Sequence, residues 1–231
     1  MEREYVRAWS PALGRDMEYL RFGQGGIPLL AFPTSQGRFY QWEDFGLVAA
    51  LHDRLDAGSV QLWCVDTIDS ESWYAHGKQP WDRVQAHLAY ERYLVEDLLP
   101  VVPSRPLCAG PSFGAFHAVL LCLRRPWLFG GWLGMSGVYD NGRWLDGYSD
   151  AETYLTNPLA FLPGLQDERY LGPLREMGMK VVVAGETDAN ARDSVKLGEM
   201  LKAHGVDARV DMWQGWAHDW PYWKDMLRTY L

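Results

Sequence analysis

Two hydrophobic rhythms alternate along this chain. Tyr5–Trp9 and Met17–Phe22 run with a period near two, separated by Pro11 and Gly14. That spacing predicts an antiparallel strand pair at one edge of a sheet. From Ile27 onward the strand pattern changes. Ile27–Phe32, Val60–Val65, Leu107–Ala109, Trp132–Tyr139, Lys180–Ala184 and Ala208–Trp213 are short, mainly apolar runs, as expected of strands covered on both faces. The intervening segments carry apolar residues at helical spacing. Phe45, Val48, Ala49 and Leu51 form one stripe; Val84, Leu88, Val95 and Leu98 form another, in a helix that starts at Pro80 and stops at Pro100. Ala115–Leu123 is apolar enough for a buried helix. Asn190–His204 aligns Ala191, Val195, Gly198 and Leu201 and ends at Gly205, and Trp220–Leu231 closes the chain as a helix.

Strands alternating with helices after an antiparallel start predict an α/β fold. The expected sheet is central and mainly parallel, with an antiparallel N-terminal edge and helices on both faces. A length of 231 residues suits one domain spanning 1–231 with a single sizeable core. Residues 140 to about 175 follow neither rhythm; they read as a loop-rich, short-helical insertion covering a site. Ligands of such sheets bind beyond the carboxyl ends of the strands, and the polar loops of this chain fall at those ends.

The most informative of these loops is Gly110-Pro111-Ser112-Phe113-Gly114. A serine between glycines, after a strand and before a helix, is a nucleophile elbow. The glycines answer a steric demand, because β-carbons beside so tight a turn would collide. The turn lifts the hydroxyl out of the sheet and aims helix N-terminal N–H groups at whatever it attacks.

A serine hydroxyl needs a base, and the base needs a carboxylate that fixes its tautomer. Such sites keep the chain order serine, acid, histidine. His218, in the loop Gln214–Asp219 after the last strand, is the one histidine that fits. His117 sits five residues along the elbow helix and reads as a packed helix residue. Asp188, four residues past a buried strand, is the favoured acid, although that position also suits a helix N-cap. Glu186 is its first rival and Asp140 its second. The developing oxyanion requires two fixed donors. One is the N–H of Phe113; the other is expected from the loop after Ile27–Phe32, at Ser35 or Gln36. Gln36, Trp144 and Tyr148 are expected to contact substrate, and Tyr154 and Phe161 are further aromatic positions of the insertion.

Composition narrows the class. With 22 basic and 30 acidic residues the net charge is −8, and no basic cluster offers a nucleic-acid footprint. No apolar run approaches the ~20 residues of a membrane span. Cys64, Cys108 and Cys122 all lie in core-like segments, and no apolar leader follows Met1, so a cytoplasmic protein with reduced thiols is expected. No ligand spacing for a metal occurs. The twelve tryptophans are expected mostly as core filling, with some forming an aromatic wall near the site.

The stretches Phe32–Phe39, Cys108–Ala115, Met135–Asp140 and Gly215–Trp220 resemble the small esterase-D-like α/β-hydrolases. That group of esterases includes feruloyl esterases, S-formylglutathione hydrolases and mycolyl transferases. Phe113 stands where those elbows usually carry Met, and the Pro33 loop lacks their usual His-Gly. The resemblance implies a carboxylic ester hydrolase using Ser112, Asp188 and His218, with a small-molecule ester as substrate and no cofactor. Two alternatives remain open: acyl transfer through the same acyl-enzyme, and a binding module on a hydrolase fold. The pattern is compatible with a homo-oligomer.

Overall fold

A computed structural model describes residues 2–231 of the chain. Eight strands form one sheet: β1 (Arg3–Ser10), β2 (Arg15–Phe22), β3 (Ile27–Ala31), β4 (Val60–Val65), β5 (Leu107–Pro111), β6 (Gly131–Met135), β7 (Met179–Gly185) and β8 (Arg209–Trp213). Their order across the sheet is β1-β2-β4-β3-β5-β6-β7-β8. β2 pairs antiparallel with both β1 and β4, and all remaining pairs are parallel. The chain passes from β3 out to β4 and then crosses back over β3 to β5. The loops leaving β3 and β5 therefore diverge at one topological switch point, the place where open α/β sheets bind ligands.

The helices α1 (Gln41–Asp44), α2 (Leu47–Ala50), α3 (His52–Asp56), α4 (Pro80–Arg92), α5 (Phe113–Arg124), α6 (Ala151–Leu155), α7 (Pro158–Phe161), α8 (Glu168–Glu176), α9 (Ala191–Ala203) and α10 (Trp220–Tyr230) cover both faces. Successive strand residues point to opposite sides, and this divides the core in two. Leu30, Trp63, Cys108, Trp132 and Val182 face α4, α5, α8 and α9. Leu29, Ala31, Leu62, Cys64, Ala109, Leu133 and Val183 face α1–α3 and α10. Among the described residues, no helix is long and apolar enough to cross a membrane.

Three helical stripes differ from the sequence pattern. The segment around Phe45 is no continuous helix; it breaks at Gly46 (φ +79°) and again at Leu51 into single turns. Phe45 and Ala49 consequently face outward, and Trp42, Leu47, Val48, Leu51 and Leu55 fill the core. Phe45 instead stacks on Trp220 with ring centroids 4.2 Å apart. In α9, Val195 is exposed and the buried row is Ser194, Leu197, Gly198 and Leu201. Gly198 sets this rotation: a β-carbon there would lie 2.3 Å from Cγ2 of Val210 in β8. After α4 the helix widens into a π segment at Tyr93–Leu98, which re-phases the stripe and buries Tyr93, Leu94 and Leu98.

One buried group gives the fold a pH limit. His87 of α4 is fully buried against Trp73 and His117, and neither ring nitrogen has a hydrogen-bond partner among the described residues. Burial, with smaller contributions from His117 and Arg124, holds its pKa well below the ordinary histidine value. The depressed pKa fixes the sign. Below about pH 6.5 the unfolded chain binds a proton that the folded one refuses, so stability falls as pH falls. Urea unfolding of wild type between pH 6 and 5 is expected to lose up to about 1.4 kcal/mol per pH unit more than His87→Phe. Equal slopes in the two proteins would refute the assignment.

Candidate active site

The elbow forms as its glycines require. Ser112 has φ 55° and ψ −119°, a strained position for a side-chain-bearing residue. Its N–H is anchored to the Met135 carbonyl of β6 at 2.8 Å. A β-carbon on Gly110 would lie 2.3 Å from the Gly114 carbonyl carbon, and one on Gly114 would lie 2.4 Å from the Pro33 oxygen. Gly110 lets α5 start hard against β5, and Gly114 lets it pack on the end of β3. Phe113 is the first residue of α5, so its N–H has no intrahelical acceptor.

Three side chains distant in sequence meet at this end of the sheet. His218 Nε2 lies 3.2 Å from Ser112 Oγ, and His218 Nδ1 lies 2.9 Å from Asp188 Oδ2. The Asp188 carboxylate is almost wholly buried, while the His218 ring keeps 20% of its surface open. The second Asp188 oxygen accepts the Asn190 N–H at 2.9 Å, so the same carboxylate also supports the approach to α9. Neither rival acid is brought to the histidine. Glu186 is exposed, and the recorded bond is from its backbone N–H to Trp213. Asp140 Oδ1 accepts from the Gly142 N–H and the Asn157 amide within the insertion.

The His218 loop is held by a residue the sequence reading passed over. Ser136, at the end of β6 with φ 51°, is completely buried. Its hydroxyl donates to the Ala217 carbonyl at 2.9 Å and accepts the Trp223 indole N–H at 3.1 Å. Asn190 Nδ2 donates to the Ser136 carbonyl. A serine in an apolar strand run is the only signal that could have marked it. Trp216, 54% exposed, stacks on the His218 ring at 5.7 Å, while Trp223 meets the same ring edge-on.

On the other side lies the loop after β3. The Gln36 N–H is committed to Asp69 Oδ2 at 3.0 Å, which removes it as an oxyanion donor and leaves the Ser35 N–H of the two expected candidates. Ser35 Oγ accepts the Tyr74 hydroxyl at 2.7 Å. Burial raises the Tyr74 pKa, which keeps the phenol a donor. Trp144 is buried, with its ring 4.9 Å from Phe113 and 5.7 Å from Tyr74, so it backs the elbow.

Three further aromatics of the insertion occupy other positions around the elbow helix and the Trp144 turn. Tyr148 is exposed, donates to Asp150, and lines a hollow with His76, Lys78 and Asp146. It makes no recorded contact with Ser112, His218 or Asp188. Phe161 lines a groove with Leu123 and Arg124, the far end of α5, roughly 16 Å from the elbow at 1.5 Å per residue. Tyr154 turns to the Phe161 carbonyl. Alternating short turns give the insertion no period from which facing could be read.

No family model and no curated protein matches the sequence. Solved structures do match over nearly the whole chain. A ferulic acid esterase superposes with a TM-score of 0.77 at 15% identity, covering 99% of this chain and 95% of its own. An S-formylglutathione hydrolase from Agrobacterium tumefaciens gives 0.70 at 14% identity, covering 98% and 92%. MPT51 (FbpC1) of Mycobacterium tuberculosis gives 0.69 at 14% identity, covering 99% and 96%.

The fold is that of an α/β-hydrolase.

In α/β-hydrolase terms Ser112 occupies the elbow between β5 and α5, Asp188 follows β7, and His218 follows β8. Among the described residues no cluster of three or more His, Cys, Asp or Glu side chains could hold a metal. Cys64, Cys108 and Cys122 are buried and unpaired by disulfides. Burial raises the pKa of Cys64 and Cys122, so they are poor nucleophiles.

Proposed function

We propose that this protein is a serine hydrolase that cleaves carboxylic esters through an acyl-enzyme on Ser112. The observation that carries the reading is the single imidazole of His218 within 3.2 Å of the Ser112 hydroxyl and 2.9 Å of the Asp188 carboxylate. In this reading His218 takes the Ser112 proton as Oγ attacks the ester carbonyl. Asp188 holds the ring in the tautomer that leaves Nε2 free to accept, and stabilises the imidazolium. The N–H groups of Phe113 and Ser35 hold the oxyanion, fixed before charge develops. His218 then protonates the departing alcohol, and water, activated by the same ring, resolves the acyl-enzyme. Trp216 stacks beside His218, and Tyr74 and Trp144 pack against the Phe113 ring and back the elbow. Structural neighbours whose names give an esterase and a hydrolase support the same chemistry.

The test is turnover of p-nitrophenyl acetate and butyrate, together with covalent labelling by a fluorophosphonate. Both are expected in the purified protein. Absence of both would point to a binding module that keeps the fold without the chemistry.

A further inference from the structure

We infer that Asp69 and His117 are positioning residues for the reaction: a buried brace that sets the Ser35–Gln36 loop against the elbow helix. The inference rests on the esterase reading and adds to it the parts that hold the oxyanion donors in register. Asp69 follows β4 and is 1% exposed; His117 lies in α5 and is 3% exposed. Their side chains meet at 2.8 Å between Asp69 Oδ1 and His117 Nε2. The other carboxylate oxygen accepts the Gln36 N–H at 3.0 Å. One carboxylate thus ties the loop after β3 to the helix that begins at the nucleophile.

Gln36 shows what the tie accomplishes. Its φ is 55°, a left-handed conformation that a residue with a side chain holds only when its surroundings impose it. The contact on its N–H is Asp69. With Gln36 fixed, the neighbouring Ser35 N–H is fixed as well, and the Tyr74 hydroxyl secures Ser35 from its side chain. His117 meanwhile touches both halves of the proposed oxyanion site. It packs edge-on to Phe113 at 5.1 Å and stacks on Phe32, at the start of the loop, at 5.9 Å. A buried carboxylate and imidazole add little to stability that apolar side chains of like volume would not. What an apolar pair cannot do is accept the Gln36 N–H and dictate its direction.

The experiment compares Asp69→Ala, Asp69→Asn, His117→Leu and His117→Gln with wild type on p-nitrophenyl acetate, with thermal melts for each. It adds the affinity of phenylboronic acid, which forms a tetrahedral adduct on a serine hydroxyl. Asp69→Ala is expected to lower kcat about a hundredfold, the size of losing one oxyanion donor, with KM within threefold. Boronate affinity should fall in parallel. His117→Leu should lose about tenfold in kcat, and His117→Gln, whose amide can still donate to Asp69, should recover most of it. Asp69→Asn keeps an acceptor for Gln36 and should stay within tenfold; the His117→Leu and His117→Gln pair carries the test if the alanine variant fails to fold. Folded Asp69→Ala with kcat and boronate affinity within twofold of wild type overturns the brace and leaves the esterase reading standing. Equal losses in His117→Leu and His117→Gln, tracking their melting temperatures, also overturn it. A wild type without turnover or labelling removes the esterase reading and the brace's role together.

Discussion

Ser112→Ala is expected to abolish fluorophosphonate labelling and to lower kcat on p-nitrophenyl esters by on the order of 10⁶, the loss found when a serine hydrolase loses its nucleophile. The reason is stoichiometric: Ser112 Oγ is the atom that becomes acylated, and alanine offers none. Fold effects should be small. The side chain is half-buried, and its one recorded hydrogen bond is with His218; the strained backbone at φ 55° is set by Gly110 and Gly114 rather than by the hydroxyl. A melting temperature within a few degrees of wild type, with turnover gone, is therefore the expected pair of results. Residual hydrolysis above water is also expected, because Phe113 and Ser35 can still stabilise an oxyanion formed by direct attack of water. Turnover within tenfold of wild type would place the nucleophile elsewhere and remove the acyl-enzyme.

What the chain discloses on reading, and what it withholds, divides by range. The strands are legible because each leaves a local pattern: alternation in β1 and β2, a short, mainly apolar run in the other six; the Trp132–Tyr139 run overshoots β6, which ends at Met135. The elbow is legible because its steric requirement is local: Gly110 and Gly114 flank Ser112 within five positions. Helix facing is less so. Phe45 and Val195 are apolar and sit at helical spacing, yet they face solvent, because a break at Gly46 and the contact of Gly198 with Val210 decide the rotation. Tyr148 is expected at the site for its aromatic ring; beside turns at Asp146 and Gly147, both at positive φ, it lines a hollow with His76, Lys78 and Asp146. Least legible are Asp69, Ser136 and His117. Each is a single polar letter whose meaning lies in a partner far along the chain: 48 residues separate Asp69 from His117, and 81 separate Ser136 from Ala217. Periodicity carries no information about such pairs. Parallel strand order brings them together, since it gathers loops from remote segments at one rim.

Asp188→Asn is the second large effect, and it separates two roles that meet in one carboxylate. Its Oδ2 faces His218 Nδ1, and its Oδ1 accepts the Asn190 N–H. An asparagine can keep the second bond through its amide oxygen, so the approach to α9 and the overall fold should persist. The first bond then changes character. The amide N–H₂ now faces Nδ1, favouring the tautomer with its proton on Nε2, where the ring can no longer accept from Ser112. A loss of about 10⁴ in kcat is expected, as for other wrong-tautomer variants, with KM little changed and the melting temperature near wild type. Glu186→Gln is the matched control. That side chain is exposed and the bond recorded for the residue comes from its backbone, so kcat should stay within about threefold, the small effect usual for a surface substitution. The reverse result, with Glu186→Gln losing a thousandfold and Asp188→Asn less than ten, would transfer the acid to Glu186. It would also require the loop after β7 to turn over in solution, since Asp188, two residues further on, is buried beside the ring in the folded chain.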